Sequence, residues 1–256
     1  MKAYQLTDHA GAATLAGRSY LVTGGTTGIG LAAAELLARG GARVFITGRT
    51  PETLAEAGRR LGERGIPLRC DTAEIDALPE LVRSIREHVD HLDGVFINAG
   101  MATFHSLEET TAKAFDALFD VNVRGAYFTL QALLPLLREG SAVVFNSSVY
   151  SRLALPGASV YSATKAALTS LGRSLAVELA PRRIRVNVLS PGPIMTPAID
   201  RLGMDAATRT AYAGQTLSKR WGQPEEVARF ARFLLTDESS YVVGEEIAVD
   251  GGLQLT

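Results

Sequence analysis

A tyrosine and a lysine four residues apart, Tyr161 and Lys165, are well suited to proton transfer. Residues at this spacing share one face of a helix. A phenol titrates near pH 10, too high for easy proton transfer at neutral pH, and a neighbouring ammonium can lower that pKa. The same ammonium can also donate a hydrogen bond to a sugar hydroxyl. Because 7 tyrosines and 4 lysines produce this spacing by chance only about 0.1 times, an exposed helical pair is the less favoured alternative.

Further polar groups follow predicted strands. Ser147 and Ser148 come directly after a strand, where a hydroxyl could donate to a substrate carbonyl as charge develops on its oxygen. The small residues of Asn98-Ala99-Gly100 end another strand and would let the backbone approach a ribose or an adenine. Asn122 lies inside a helical pattern, where asparagine is unfavourable unless its amide has a specific partner. Each could singly be a cap or a buried hydrogen bond, but with the Tyr–Lys pair they predict one site.

A glycine-rich turn joins the first predicted strand to a helix. It reads Thr23-Gly24-Gly25-Thr26-Thr27-Gly28-Ile29-Gly30. Backbone N–H groups in such a turn can approach a phosphate, and the positive end of the helix dipole adds to the attraction. The glycine spacing differs from the common dinucleotide fingerprint and from a P-loop, so a plain structural turn is the alternative. Its place in the first strand–helix unit favours pyrophosphate binding.

The end of the second predicted strand should select between two dinucleotides. An acidic residue there would bind the 2′-hydroxyl of NAD, whereas an arginine accommodates the 2′-phosphate of NADP. In this sequence Gly48 occupies the expected acidic position and Arg49 follows it. The sequence therefore predicts NADP, with a solvated loop arginine as the alternative.

These candidates need a scaffold of alternating strands and helices. Apolar runs with β-branched residues predict seven strands: Ser19–Val22, Arg43–Thr47, Pro67–Cys70, Gly94–Asn98, Ala142–Asn146, Arg185–Leu189 and Glu245–Val249. Amphipathic patterns predict six helices: Leu31–Arg39, Glu52–Leu61, Ala77–His88, Glu109–Leu137, Val160–Leu179 and Glu225–Leu235. The alternation predicts an α/β fold: one doubly wound, seven-stranded parallel sheet with helices on both faces. Residues 1–17 are predicted to be an N-terminal arm, 18–256 one dinucleotide-binding domain, and 191–220 a long irregular connection that acts as a substrate lid.

Composition excludes several classes of protein. The 256 residues are 46% hydrophobic and carry a formal net charge of −1. Because this net charge is close to zero, the chain has no overall attraction to nucleic acid or to anionic lipid. One cysteine cannot form an internal disulfide, and the four histidines lack metal-ligand spacing, so no metal is predicted. The sequence also shows no secretory pattern and no apolar run near the roughly 18 residues that span a bilayer. We expect a cytoplasmic protein.

Taken together, these motifs resemble the short-chain dehydrogenase/reductase family from about Leu15 to the C-terminus. They occur in that family's order: Thr23-Gly24-x-x-x-Gly28-Ile29-Gly30, Asp71, Asn98-Ala99-Gly100, Asn122, Ser148, Tyr161-x-x-x-Lys165, Pro191-Gly192 with Thr196, and Gly244-Glu245-Glu246-Ile247-Ala248-Val249-Asp250-Gly251-Gly252. The resemblance implies a Rossmann-type fold, an NADP(H) or NAD cofactor and oxidoreductase activity on CH–OH groups. Thr72, where the family often has an aliphatic residue, is a local departure.

The resemblance also implies residue roles. Tyr161 would be the general acid/base, Ser148 would polarise the carbonyl, Lys165 would lower the tyrosine pKa and hold the nicotinamide ribose, and Asn122 would support a water-linked proton relay. Asp71 would contact adenine, and Ile194 with Thr196 the carboxamide. Pro191, Gly192 and the residues of the glycine-rich turn complete the expected cofactor contacts. Family members mostly form homotetramers through the helices that carry Asn122 and Tyr161 and through the C-terminal segment.

The leading hypothesis is an NADP-dependent reductase or dehydrogenase of a ketone/secondary-alcohol pair. A cofactor-sensing regulatory module is disfavoured because the tetrad is complete. One alternative is a 3-oxoacyl-thioester reductase, for which Arg138 and Arg173 could form a basic docking face and Val177 is an unfavourable sign. Another is an NAD-using sugar or cyclic-alcohol dehydrogenase. The family's enoyl reductases use a wider Tyr–Lys spacing than this chain has.

Overall fold

The structure is a computed structural model that describes residues 14–256, and it contains a seven-stranded sheet whose pairings are all parallel. The strands are β1 (Ser19–Val22), β2 (Arg43–Gly48), β3 (Gly65–Arg69), β4 (Leu92–Ile97), β5 (Leu137–Asn146), β6 (Arg185–Pro191) and β7 (Glu246–Val249). Their spatial order is β3-β2-β1-β4-β5-β6-β7. This confirms the predicted doubly wound sheet, whose central strands are apolar because helices cover both of their faces.

Six of the nine α-helices in the described residues form two layers on the sheet. The nine are α1 (Gly28–Arg39), α2 (Pro51–Leu61), α3 (Leu78–Arg86), α4 (Ala112–Phe119), α5 (Ala126–Leu133), α6 (Ser159–Leu179), α7 (Pro197–Arg201), α8 (Ala206–Gln215) and α9 (Pro224–Leu235). One buried cluster joins α1, α2 and α9 to one face of the sheet. The other joins α3, α5 and α6 to the opposite face.

The strand order reverses between β1 and β4, and this is the part of the fold that creates a binding crevice. Strands β2 and β3 follow β1 on one side, whereas β4 to β7 continue on the other. In such sheets ligands bind beyond the carboxyl ends of the strands at the reversal. The glycine-rich turn follows β1 directly and Asn98 follows β4, so both lie at this point.

The predicted helix over Glu109–Leu137 is interrupted in the structure. Helix α4 ends at Phe119, a wide π-helical turn spans Asp120–Gly125, and α5 follows; Leu137 already belongs to β5. Hydrophobic periodicity missed the break because the extra residue of a π-turn shifts the helix face without removing its apolar residues. This turn carries Asn122.

The connection predicted to be irregular, 191–220, contains two short helices. Pro191 ends β6, and α7 and α8 then occupy much of the segment. Helix α8 has a side-chain cap, since Asp205 accepts a hydrogen bond from the Thr208 amide at 2.7 Å. Its residues are all partly or fully exposed, so the sequence has no buried stripe there from which a helix could be predicted.

Most of the predicted N-terminal arm, residues 1–13, lies outside the described residues. At its described end Leu15 is buried, and its amide donates to the Gly40 carbonyl at 2.7 Å, where α1 ends. Within residues 14–256 none of the helices is long and apolar enough to cross a bilayer. That same part of the chain holds no group of three His, Cys, Asp or Glu side chains arranged as a metal site.

Candidate active site

Helix α6 places Tyr161 and Lys165 on one face near its start, as their spacing predicts. Lys165 is buried, and its ammonium donates to the Asn146 carbonyl at 2.8 Å. The lysine Nζ lies 5.7 Å from the centroid of the Tyr161 ring. A Cβ built on Gly100 would lie 3.6 Å from this Nζ, so the glycine after β4 keeps the surroundings of the ammonium open.

Burial shifts the pKa values of both Tyr161 and Lys165, and it shifts that of the tyrosine against the expected direction. Burial raises the pKa of Tyr161 from its usual value, while the nearby Ser148 side chain acts in the opposite direction. Burial lowers the pKa of Lys165 to about 8. The expectation of a tyrosine pKa lowered by the lysine is therefore not met in the protein alone, because desolvation of the phenolate outweighs the other effects. At neutral pH the phenol keeps its proton, and the lysine is largely charged.

The structure distinguishes Ser148 from Ser147. The Ser147 hydroxyl donates to the Lys165 carbonyl at 2.9 Å and lies 3.0 Å from Thr169 Oγ1, so it fastens β5 to α6. The Ser148 side chain lies close enough to the Tyr161 phenol to counteract part of the burial effect on its pKa, and it accepts a hydrogen bond from the Tyr150 amide at 3.3 Å. Of the two serines, Ser148 is therefore the one beside the phenol.

Asn122 has the specific partners that its place in a helical segment demands. Its side-chain oxygen accepts from the Met101 amide at 2.8 Å, and its amide group donates to the Met101 carbonyl at 2.9 Å and to Thr164 Oγ1 at 3.0 Å. Thr164 in turn donates to the Tyr161 carbonyl at 2.7 Å. Asn122 thus connects the segment after β4 with the start of α6, close to Gly100.

The glycine-rich turn presents the start of α1 toward the crevice. Gly24 and Gly28 have φ values of +62° and +55°, a left-handed conformation that favours glycine. Thr27 is the N-cap residue of α1 but makes no side-chain cap, and the first turn holds no acidic residue. The first amides of a helix have no partner within it, so they can donate to an anion.

Close packing against Asn98 determines the shape of this turn. The Asn98 amide group donates to the carbonyls of Thr23 and Gly24 at 2.9 and 3.1 Å. Thr23 Oγ1 accepts from the amides of Asn98 and Ala99, both at 2.9 Å. A Cβ on Gly30 would lie 2.4 Å from the Gly24 oxygen and 2.5 Å from Asn98 Nδ2. Gly30 is therefore required by the packing of α1 on its own turn.

The end of β2 brings together three residues relevant to cofactor choice. A Cβ on Gly48 would lie 2.6 Å from Thr26 Cγ2, so a carboxylate side chain here would displace Thr26. Arg49 is 70% exposed, and its guanidinium lies 3.7 Å from the Asp71 carboxylate. Asp71 is also tied to its own turn, since it accepts from the Ala73 amide at 3.0 Å. The arginine is thus held loosely at the rim, where it is available to a second anion.

The residues after β6 close the other side of the crevice. The site of a Cβ on Gly28 lies 3.2 Å from Thr196 Cγ2, so Thr196 faces the glycine-rich turn. Ile194 is buried, and its Cδ1 packs over Gly222, where the two residues form a β-bridge. Its side chain thus belongs to the core, which leaves its backbone for a cofactor contact. Gly192 packs on Asp250, whose Cα would lie 2.7 Å from an added Cβ.

Two residues at the site, Phe104 and Asn146, were not singled out by their sequence pattern. The Phe104 ring lies edge-on to Tyr161, with ring centroids 5.7 Å apart. Asn146 orients two groups at once, because its carbonyl accepts from Lys165 and its amide donates to Asn98 Oδ1 at 2.8 Å. Tyr150 lies near both Tyr161 and Tyr212, and burial with these neighbours raises its pKa. Only Asn146, directly before Ser147, carried a usable signal.

The described residues fit a nicotinamide dinucleotide. An uncapped helix start follows left-handed glycines, which is the arrangement that receives a pyrophosphate. The other end of the crevice has Lys165, with a nearby space that a Cβ on Gly100 would fill. Together, the glycine-rich turn, Arg49 and Lys165 place hydrogen-bond donors along one sheet edge.

Comparison with known proteins identifies the family. A family model described as Enoyl-(Acyl carrier protein) reductase matches residues 24–254. The oxidoreductase asL5 of Sarocladium schorii is 38% identical over 241 residues, which is 93% of this chain and 96% of that protein. A cyclopentanol dehydrogenase of Comamonas sp. (strain NCIMB 9872) is 36% identical, with 91% and 95% of the two chains covered.

Two further similarities cover nearly the whole chain. The 3-oxoacyl-[acyl-carrier-protein] reductase FabG of Thermotoga maritima is 35% identical, over 93% of this chain and 98% of that protein. A solved short-chain dehydrogenase/reductase of Brucella melitensis, titled a glucose/ribitol dehydrogenase, is 32% identical with a TM-score of 0.88, over 93% of this chain and 97% of the other. The chain belongs to the short-chain dehydrogenase/reductase family of oxidoreductases.

Proposed function

We propose that this protein is an NADP-dependent oxidoreductase that interconverts a ketone and a secondary alcohol, with Tyr161 as the general acid/base. The observation that carries the proposal is the arrangement of Ser148, Tyr161 and Lys165 around one point beyond the carboxyl ends of β4 and β5. The Ser148 side chain lies beside the phenol, and the Lys165 ammonium lies 5.7 Å from the ring centroid of Tyr161. Such an arrangement can bind, polarise and protonate a carbonyl oxygen.

Each residue has a distinct part in the reduction. The bound cofactor supplies a hydride to the carbonyl carbon. Ser148 donates a hydrogen bond to the carbonyl oxygen, and Tyr161 delivers the proton to that oxygen. Because burial keeps the Tyr161 phenol protonated at neutral pH, the tyrosine begins as an acid, which suits reduction. Lys165 holds the nicotinamide ribose and stabilises the phenolate left after proton transfer.

Asn122 would contribute by holding other groups in place. Its amide binds both backbone groups of Met101 and, through Thr164, the first turn of α6. Tyr161 is thereby held relative to Gly100 and the segment after β4. A water-linked proton relay through Asn122 is part of this proposal.

The preference for NADP rests on the end of β2. Gly48 leaves no carboxylate to bind a ribose 2′-hydroxyl, and Thr26 occupies the space that such a side chain would need. Arg49 is exposed and only loosely paired with Asp71, so its guanidinium can turn to a 2′-phosphate. Asp71 would then contact adenine and steady the arginine.

A neutral, largely apolar carbonyl compound is the substrate that the lid favours. Phe104 and Tyr150 lie beside Tyr161, and Tyr212 lies beside Tyr150. Charged lid residues have partners outside this aromatic cluster: Arg209 binds Asp200 at 2.8 Å, and Arg220 binds Glu226. A cyclic or aryl ketone fits this lining better than a charged substrate does, and the 36% identical cyclopentanol dehydrogenase agrees with that direction.

A 3-oxoacyl-thioester reductase is the second candidate, and similarity to FabG is what favours it. The two arginines suggested for a carrier-protein face have other partners. Arg138 binds the buried Asp93 at 3.2 Å, and Arg173 binds the buried Glu246 at 3.3 Å. Val177 leaves an exposed apolar residue on α6. These contacts weaken the basic docking surface that an acidic carrier protein would need.

We also propose that the chain forms a homotetramer. Large apolar side chains remain exposed on α4 and α6 and near the C-terminus: Phe115, Val177 and Leu255. These are the helices and the segment that the family resemblance assigns to subunit contacts. Burial of such side chains between copies would remove apolar surface from water. Light scattering of the purified protein tests the number of subunits directly.

Replacement of Tyr161 by phenylalanine tests the proposed role. We expect Tyr161→Phe to abolish NADPH oxidation with a panel of cyclic ketones, aryl ketones, sugars and acyl thioesters, because the proton donor is lost. The Kd for NADPH should stay largely unchanged. Tyr241→Phe is the matched control, since Tyr241 is fully exposed, and it should retain full turnover. Substantial turnover by Tyr161→Phe would refute the role of Tyr161.

A further inference from the structure

Glu246 is a buried carboxylate in the edge strand β7 for which the proposed reaction has no use. Its side chain is only 3% exposed, yet four side chains donate hydrogen bonds to it. Ser190 and Ser151 donate to Oε1 at 2.7 and 3.2 Å. Arg152 binds Oε2 through two nitrogens, and Arg173 donates to the same oxygen at 3.3 Å.

These four donors come from three separate parts of the site. Ser151 and Arg152 belong to the turn that follows Ser148, Arg173 lies on the helix that carries Tyr161 and Lys165, and Ser190 lies on β6. Both arginines are about half exposed, at 52% and 55%, so they reach inward from the surface to the carboxylate. Glu246 therefore connects the turn after Ser148 to α6 and β6.

The turn transmits this anchoring to Ser148 over a short distance. The Ser151 amide donates to the Ser148 carbonyl at 2.9 Å, and the Tyr150 amide donates to the Ser148 hydroxyl at 3.3 Å. Ser148 is thus the N-cap residue of a single 3-10 turn, and the last residue of that turn, Ser151, is bound to Glu246. If that end is released, the hydroxyl loses its fixed direction toward Tyr161.

We propose that Glu246 is a positioning residue for the reaction. It holds the turn Ser148–Arg152 against α6 so that the Ser148 hydroxyl stays aligned with the Tyr161 phenol. A displacement of catalytic groups by about 1 Å can reduce a rate by about 100-fold, so a residue that acts only through alignment can have a large effect. This inference rests on the proposed function, in which Ser148 polarises the carbonyl.

A double-mutant cycle tests the proposal. We expect Glu246→Gln, which keeps the shape but removes the charge that binds both arginines, to lower kcat by about 10- to 100-fold. The Kd for NADPH should remain within about 2-fold, because the cofactor contacts lie elsewhere. In a Ser148→Ala background, Glu246→Gln should lower kcat by no more than about 2-fold, because its effect passes through the serine.

Asp93 provides a matched control in β4, the central strand of the sheet. It is 4% exposed, and it binds Arg18 at 2.9 Å, Arg138 at 3.2 Å and the Ser19 amide at 2.8 Å. Asp93→Asn removes the same kind of buried charge far from Ser148. It should lower the thermal midpoint at least as much as Glu246→Gln does, and leave kcat within about 2-fold in both the wild-type and Ser148→Ala backgrounds.

A milder variant covers the case in which Glu246→Gln does not fold. Arg152→Ala removes a half-exposed donor from the serine turn, and we expect it to lower kcat by about 3- to 10-fold with the same lack of additivity. Equal losses in the wild-type and Ser148→Ala backgrounds, or a kcat unchanged by both variants, would overturn the inference. If Ser148→Ala alone retains full activity, the proposed role of Ser148 fails instead, and the two failures are thereby distinguished.

Discussion

The glycine-rich turn and the proposed lid, residues 191–220, face each other across one crevice, but they are built in opposite ways. In the turn, Thr23 and Asn98 make a continuous set of backbone and side-chain hydrogen bonds, and Gly30 packs with no space for a methyl group. In the lid, every residue of α8 is at least partly exposed. The lid connects to the domain at a few places, among them the bridge from Ile194 to Gly222.

This difference separates two tasks of the site. A dinucleotide has fixed dimensions, so a rigid turn can hold donors at set positions without a cost in conformational entropy at binding. Substrates of the family vary, and a segment with little buried surface can change in sequence or position without disturbing the core. We infer that cofactor binding depends on the packing of the turn, whereas substrate affinity depends on a few anchors of the lid.

Adding one methyl group to the glycine-rich turn should have a severe effect on stability and cofactor binding, whereas the same change in α8 should not. Gly30→Ala should lower the free energy of unfolding by about 1–3 kcal/mol or more and abolish tight NADPH binding, because the methyl would meet the Gly24 carbonyl and Asn98. Gly214→Ala in α8 has open space around the new Cβ and should raise stability by about 0.5–1 kcal/mol. Urea unfolding and NADPH titration measure both. Equal tolerance of the two substitutions would break the comparison.

The rim of the turn should show a smaller and more selective effect. Arg49→Ala should raise KM for NADPH by about 10- to 100-fold, because one charge-assisted contact to the 2′-phosphate is lost. KM for NADH should change little. Arg86→Ala, at an exposed arginine in the last turn of α3, is the control and should alter neither constant. Equal changes for both cofactors in Arg49→Ala would contradict the NADP assignment.

The smallest effect is expected at a lid anchor. The Trp221 indole N–H donates to the Arg209 carbonyl at 2.8 Å, and its ring lies 6.0 Å from that of Tyr212. Trp221→Phe keeps most of the packing but removes the hydrogen bond, so KM for the ketone should rise by about 2- to 10-fold. The Kd for NADPH should not change. Steady-state kinetics and a fluorescence titration separate the two, and a weakened NADPH affinity would show that lid and turn are coupled.

Much of the fold and the core of the site could be predicted because they are encoded locally. Tyr161 and Lys165 are one helical turn apart in α6, and the glycine-rich turn, residues 23–30, directly connects β1 with the start of α1. Apolar strands covered on both faces give an unambiguous pattern. The positions of Ser148 and Asn98 followed from the rule that the carboxyl ends of parallel strands meet at one edge.

Other features depend on contacts between distant segments and could not be read from the sequence. Phe104 contacts Tyr161 only when the segment after β4 packs against α6. Glu246 binds Arg173 and Arg152, which lie 73 and 94 residues away in the sequence. The pKa of Tyr161 depends on burial, which the Tyr–Lys spacing does not reveal. The π-turn at Asn122 retains an apolar pattern, so the predicted helix ran through it.

The proposed reaction passes a hydride between the nicotinamide and a carbonyl carbon, and Tyr161 supplies the proton. Its most direct test uses NADPH deuterated at the transferred position, with the best ketone of the substrate panel and mass spectrometry of the alcohol. For the wild-type protein we expect an alcohol that carries one deuterium from NADPH on its carbinol carbon. For Tyr161→Phe we expect no alcohol. Alcohol without the label, or labelled alcohol formed equally fast by Tyr161→Phe, would contradict it.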